Sequence, residues 1–435
     1  MSTATPQGVP ASNPPTSANA LPPSASHAAV GSAALLAFLA AAWFIRVVNP
    51  FQGVLVLSAM FVMAAVALAV VVVDVAWLKA HRRPSTGISW AHNQPSLART
   101  AVKFVGLVGS LGFVGGLYWL LPEYKGDFYT TYYHMLATLV PVWLVLAVPY
   151  IYWVDRHMPM PFDGYWHLGQ ALLGRWQQVD RHELGQHLLG WLIKGFFFPL
   201  MFTYMCNDLA RFMTWDVAHF SKPGFQPWFD AIYAMLYFID VGLVTVGYLL
   251  SLRITDTHLR SAEPTMLGWV VALVCYQPFW SVIGTRYLAY ETTFKWGAWL
   301  ADHPVAYTLW GSTILVLTGI YVWATVIFGA RFSNLTHRGI ITNGPYRYTK
   351  HPAYIAKNLS WWLIAIPFMQ TGWAEALRLC ALLLLLNAVY WLRAKTEENH
   401  LSADPTYVAY KAWVQAHGIF RYLAFLVGSK VQATK

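Results

Sequence analysis

Two clusters near the C-terminal end carry the residue types that chemistry needs. The first is Gly344-Pro-Tyr-Arg-Tyr-Thr-Lys-His-Pro-Ala-Tyr354 and the second is Arg393-Ala-Lys-Thr-Glu-Glu398. Gly344-Pro345 is a turn signal, and Pro352 suits a first helical turn, where its missing N–H costs nothing. Tyr346 to His351 therefore reads as a shaped loop feeding a helix whose exposed N–H groups can receive a carboxylate. Arg347, Lys350, His351 and Lys357 supply donors, while Tyr346, Tyr348 and Tyr354 offer rings that can stack on a planar group. Tyr354 shares a helix face with Lys357 or Asn358. Arg393 and Glu397 lie four apart and can pair, which turns Glu398 toward another face. Beyond them, Leu401, Tyr407 and Tyr410 suggest a closing segment that folds back. Acid, base and aromatic groups in this combination can hold a zwitterionic cofactor bearing an amino group, a carboxylate and a purine. The same residues also fit a plainer role as snorkelling side chains and an interfacial aromatic belt.

The elements that must position these clusters are membrane helices. Of 435 residues, 57% are hydrophobic and 11% charged, against about a quarter charged in an ordinary soluble domain. The expected fold is all-α, a polytopic bundle of about ten transmembrane helices near 29–48, 53–78, 103–121, 133–154, 188–208, 230–251, 266–284, 306–329, 353–370 and 374–392. Each is close to the roughly 20 residues needed to cross hydrocarbon. The net charge of +10 raises the question of nucleic acid, but the basic residues are scattered between apolar runs, which fits anionic lipid and topology instead.

Loop charge sets the expected orientation. Lys79, Arg82, Arg83, Arg99 and Lys103 make the second loop cytoplasmic, and Arg253, Arg260, Arg331, Arg338, Arg347, Lys350, Arg393 and Lys395 fall on the same side. Both termini are then cytoplasmic, in an inner membrane of bacterial type. Residues 1–28, rich in Ser, Ala and Pro, read as a disordered tail without the basic start of a signal peptide. Residues 29–330 form an N-terminal bundle and 331–435 a C-terminal module. The loop from Asp155 to His187 holds a short amphipathic piece at 168–173. Cys206, Cys275 and Cys380 are far apart in apolar segments and read as buried free thiols.

Ionisable residues within spans, Asp74, Lys194, Asp208, Asp240 and Glu291, must face partners or a cavity. His182-Glu183 and His187 superficially suggest a zinc site, but the spacing is one residue too long for two ligands on one helical face. No metal site is expected.

The order Gly-Pro-Tyr-Arg-Tyr-x-x-His-Pro-x-Tyr, Arg-x-x-x-Glu-Glu-x-x-Leu and Tyr-x-x-Tyr, over about residues 335–413, resembles the C-terminal signature of isoprenylcysteine carboxyl methyltransferases. Related phospholipid N-methylating enzymes share it. The resemblance implies S-adenosylmethionine held between the last helices by Gly344, Pro345, Tyr346, Arg347, His351, Pro352 and Tyr354. Glu397 or Glu398 would hold its amino group, and Tyr407 and Tyr410 would line a lid. Arg393, Glu398 and His351 would serve the chemistry, which is mainly alignment and desolvation because the methyl group is already activated. The acceptor would be a lipophilic small molecule, a lipid or a lipid-modified protein.

This chain departs from the family pattern in its many extra spans and in Ser402-Ala-Asp404-Pro, which stands where the family has a glycine-bearing stretch. A sterol-reductase-like enzyme, using NADPH on an isoprenoid or lipid double bond, shares the span number and the His-Pro-x-Tyr element, but not the Glu-Glu pair. A non-catalytic transporter or receptor is the further alternative.

Overall fold

A computed structural model of the protein describes residues 20–216, 218, 224–370 and 372–421. It is almost entirely helical: α1 (Ala28–Val48), α2 (Leu55–Val71), α3 (Leu97–Leu120), α4 (Thr130–Arg156), α5 (Gly164–Leu172), α6 (Arg181–Met213), α7 (Gln226–Leu249), α8 (Met266–Leu273), α9 (Phe279–Arg286), α10 (Trp296–Trp299), α11 (Pro304–Phe328), α12 (Pro352–Ala365), α13 (Trp373–Leu401) and α14 (Pro405–His417). One short antiparallel pair joins β1 (Ser261–Ala262) to β2 (Thr336–His337).

Among the described residues, eight helices are long and apolar enough to cross a membrane, so the expected total of ten is corrected. The seventh expected span is broken into α8 and α9, each about 12 Å long and unable to cross some 30 Å of hydrocarbon. The ninth is α12, only 14 residues long. Pro367 follows it and has no N–H with which to continue the helix; Ile366, before it, adopts the left-handed conformation, φ 40°.

The bundle core is apolar and shared by α1, α2, α4, α6, α7 and α11, with Phe38, Ile45, Met135, Phe202 and Met205 fully buried. The amphipathic segment after Asp155 is helical, as α5, and crosses α3 at very short range. A Cβ on Gly106 would stand 1.9 Å from the Tyr165 carbonyl oxygen and one on Gly169 2.0 Å from that of Val102. Small residues allow backbones this close, as in membrane helix pairs generally. Lys103, expected in a basic loop, is instead buried within α3 and bridges Asp155 at 2.8 Å and Asp163 at 3.1 Å. The three cysteines are free, but only Cys206 is buried; Cys275 and Cys380 are half-buried.

The C-terminal ends of α7, α11 and α13 and the N-terminal ends of α1 and α12 meet on one side of the bundle. Asp256 ties part of this side together, with Arg331 at 3.5 Å, Arg260 at 3.4 Å and Arg83 at 3.8 Å. Arg338, beside β2, donates to the Gly247 and Thr257 carbonyls at 2.7 Å, to Phe332 at 3.1 Å and to Leu250. It thus satisfies carbonyls left open at the end of α7. The expected tail lies outside the described residues up to residue 19. Residues 20–27 form an extended strap: Ala25 N–H donates to Ile340 O at 2.8 Å, Thr342 Oγ1 to Pro22 O at 2.8 Å and Asn343 Nδ2 to Ser26 O at 3.0 Å.

Arg338→Ala leaves several buried carbonyls without a donor, and charged hydrogen bonds are worth about 1.5–3 kcal/mol each. A loss on the order of 3 kcal/mol or more is expected, measured as a fall in Tm of the detergent-solubilised protein.

Candidate active site

The loop before α12, the last three turns of α13 and α14 enclose one hollow together with the segment from 328 to 341 and the ends of α8 and α11. Its volume is about 160 Å³, room for on the order of ten waters.

The hollow brings together most of the expected residues. Tyr346, His351 and Tyr354 line it from the loop and α12. Arg393 and Glu397 line it from α13, and Tyr407 and Tyr410 from α14. Pro352 opens α12 as its first residue and so fixes where Tyr354 emerges. The His351 and Tyr354 rings are stacked, with centroids 5.5 Å apart. Tyr354 Oη donates to Glu397 Oε2 at 2.9 Å.

The expected pairing of Arg393 with Glu397 is corrected: Arg393 Nη2 donates instead to Asn334 Oδ1 at 2.5 Å. Its guanidinium also sits 5.3–5.8 Å from the ring centroids of Tyr354, Tyr276 and Tyr390, a cation–π cage. Arg393 thereby positions the Tyr354 ring against the acid.

Gly344, Pro345, Arg347, Pro352 and Glu398 do not line the hollow. Gly344 has φ +57°, and a Cβ there would stand 2.7 Å from Ile327 Cγ1, so it lets the loop turn against α11. Pro345 is buried in the turn that follows, while Arg347 is exposed on its outer side. Glu398 is buried behind the hollow, where it binds Lys350 at 2.5 Å, His351 at 3.1 Å and Lys411 at 3.3 Å. It joins the loop, α13 and α14, and acts on the hollow only through His351 and Lys350.

The lid is anchored at both ends. Tyr410 Oη donates to Tyr346 O at 2.7 Å, and Ile419 N–H to Tyr348 O at 2.9 Å. Burial pushes the Tyr346, Tyr407 and Tyr410 phenols well above their ordinary range, with nearby carboxylates adding to the rise. They are neutral donors and stacking surfaces at physiological pH.

Several lining groups lie outside the expected motifs. Glu263, from the loop before α8, accepts from Thr265 Oγ1 at 2.5 Å and stands 3.7 Å from His400 Nδ1. Tyr276, Tyr321, Arg331 and Asn334 also line the hollow. No spacing within 300–420 points to Glu263 or Tyr276; the only sequence signal is the interrupted apolar run that becomes α8 and α9.

Two buried lining groups keep polar atoms without a hydrogen-bond partner among the described residues, the Tyr407 hydroxyl and Arg331 Nε and Nη1. Unpaired buried donors of this kind suit a ligand with acceptor atoms. His187 Nε2 lies 2.8 Å from Ser110 Oγ, away from this region. Among the described residues, no group of three or more metal-ligating side chains is gathered.

The fold and site define a polytopic membrane helix bundle with one composite hollow at the end of its last helices. Residues 309–403, from within α11 to the end of α13, match the isoprenylcysteine carboxyl methyltransferase (ICMT) family. No curated protein and no solved structure matches the chain.

Asp404 starts the lid and accepts from Thr406 N–H at 2.7 Å, with His337 Nε2 at 3.2 Å. Burial alone would raise its carboxyl, but the hydrogen bonds from His337 and Thr406 outweigh this and lower it from the usual 3.8 to about 2. A carboxyl lowered on folding stabilises fully above its unfolded value and loses that contribution as pH falls through the folded one. Docking of α14 should therefore hold at neutral pH and weaken between about pH 4 and 2. Asp404→Ala should remove about 1 kcal/mol of cap stabilisation at pH 7, seen as severalfold faster hydrogen exchange of the 405–417 amides.

Proposed function

We propose that the protein is an integral membrane methyltransferase that uses S-adenosylmethionine to methylate a lipophilic or lipid-linked acceptor. The observation that carries this reading is the convergence on a single hollow of motif residues separated by up to 64 positions, from Tyr346 to Tyr410. The family match over residues 309–403, which takes in α12 and α13 but not α14, supports it.

The donor set fits the cofactor. Glu397 has one carboxylate oxygen bound by Tyr354 and would take the ammonium group with the other. Arg331, with its unpaired nitrogens, would take the carboxylate. Tyr346, Tyr407 and Tyr410 would cover the purine. When bound, the cofactor supplies a methyl group on a positively charged sulfur, activated without acid catalysis. The protein's part is to exclude water, orient the methyl group and align the acceptor. The loops carrying Arg82, Arg83, Arg253 and Arg260 lie on the same side as the hollow, so loop charge supports a cytoplasmic opening. An acceptor with an apolar body would reach it laterally through the bundle.

Calorimetric titration of the protein in nanodiscs tests this. Binding of S-adenosylmethionine in the micromolar class is expected, with no saturable binding of NADPH. Glu397→Gln should weaken cofactor binding about 10- to 100-fold, the worth of one charge-assisted hydrogen bond. NADPH binding, or unchanged affinity in the variant, would overturn the assignment.

A further inference from the structure

The inner end of the hollow has a chemistry different from its lip. Along α13, Tyr390 lies seven residues before Glu397, and along α11, Tyr321 lies seven before Phe328, so both sit about 10 Å deeper. There the lining is Tyr321, Thr325, Lys357 and Tyr390. Behind it, outside the hollow, Asp240 of α7 is 6% exposed. Tyr321 Oη donates to Asp240 Oδ2, and Thr325 Oγ1 donates to Asp240 Oδ1 at 2.6 Å. The Lys357 ammonium stands 5.1 Å from the Tyr321 ring centroid and 5.4 Å from that of Trp361. No ion pair of Asp240 occurs within 4 Å among the described residues. Tyr237, on α7, packs its ring 6.1 Å from Tyr321.

A carboxylate buried in a membrane bundle is costly and is kept only for a reason. Its effect here is directional. The Tyr321 and Thr325 hydroxyls both donate to Asp240, so each turns only lone pairs toward the cavity. Lys357, which also lines the hollow, stands over the Tyr321 ring and offsets part of the buried charge. On the Tyr321 and Thr325 side, these oxygens select a ligand with a hydrogen to give.

Resting on the methyltransferase reading, we propose that Tyr321 and Asp240 form a proton relay for the methyl acceptor, which is a lipid amine or lipid hydroxyl rather than a carboxylate. The acceptor's lone pair bonds to the methyl carbon, and the carbon–sulfur electron pair stays on sulfur. The acceptor's proton passes to Tyr321 Oη as the phenolic proton passes to the Asp240 carboxylate. Tyr321 is then the catalytic residue, and Asp240 acts through it as a positioning residue and proton store.

The test begins with equilibrium binding to cofactor-free protein in nanodiscs, with empty nanodiscs subtracted. Dodecylamine and 1-dodecanol should bind at least tenfold more tightly than dodecanoate, and Tyr321→Phe should abolish the preference. Next, membranes carrying the full chain are incubated with methyl-labelled S-adenosylmethionine, and the extracted lipid is treated with alkali. The label should remain on the lipid, whereas a methyl ester would release it as methanol. At saturating cofactor, Tyr321→Phe and Asp240→Asn should lower turnover 100-fold or more, the usual worth of a positioned base, with cofactor affinity unchanged. Asp240→Glu should restore part of the rate. If Asp240→Asn does not fold, the isosteric Tyr321→Phe decides alone. Dodecanoate preference, alkali-labile label, unlabelled lipid despite cofactor binding, or undiminished turnover in Tyr321→Phe would each overturn the relay. Failure of the unsubstituted protein to bind S-adenosylmethionine would instead overturn the reading beneath it.

Discussion

The buried carboxylate of Glu398 is the constraint on which the site depends. It is one anion held against Lys350 and His351 from the loop and Lys411 from the lid, with Lys395 at 4.0 Å on its own helix. Surface pairs of this kind add little, but a carboxylate withdrawn from water must keep its partners or lose several kcal/mol. Three chain segments are therefore held in one arrangement. Only then do His351 and Tyr354 stack, Tyr354 reach Glu397, and Tyr410 close on the Tyr346 carbonyl. The acid that does not face the hollow holds together the one that does.

This division explains what was legible in the sequence. Helical spacing turns Glu398 away from Glu397, because residues one apart on a helix cannot share a face, yet the motif alone assigns both acids to the cofactor. It could not say that Arg393 would leave Glu397 for Asn334, since Asn334 arrives from a distant loop. The turn at Gly344-Pro345 and the helix start at Pro352 were readable because proline and glycine act locally. The broken seventh span was not, because apolar content alone does not separate a through-going helix from two short ones held by their neighbours. Pro278 and Pro367 mark where the two expected spans fail.

The extra helices do more than surround the family-matched region. Tyr276, Glu263 and Asp240 come from before residue 309, where that match begins, yet the first two line the hollow and the third bonds to Tyr321. Tyr276 receives the Arg393 cation on its ring and accepts from Asn334 Nδ2 at 3.1 Å. The inner wall thus owes part of its character to α7, which lies outside the matched region.

The strap of residues 20–27 carries a consequence of its own. Leu21 packs with Ile340, Tyr407, Tyr410 and Val414, so a segment before α1 supports the lid that follows α13. Two stretches almost 400 residues apart in sequence thus meet at the rim of the hollow. The compartment can close only once both have been made and brought together, so its completion waits on α14.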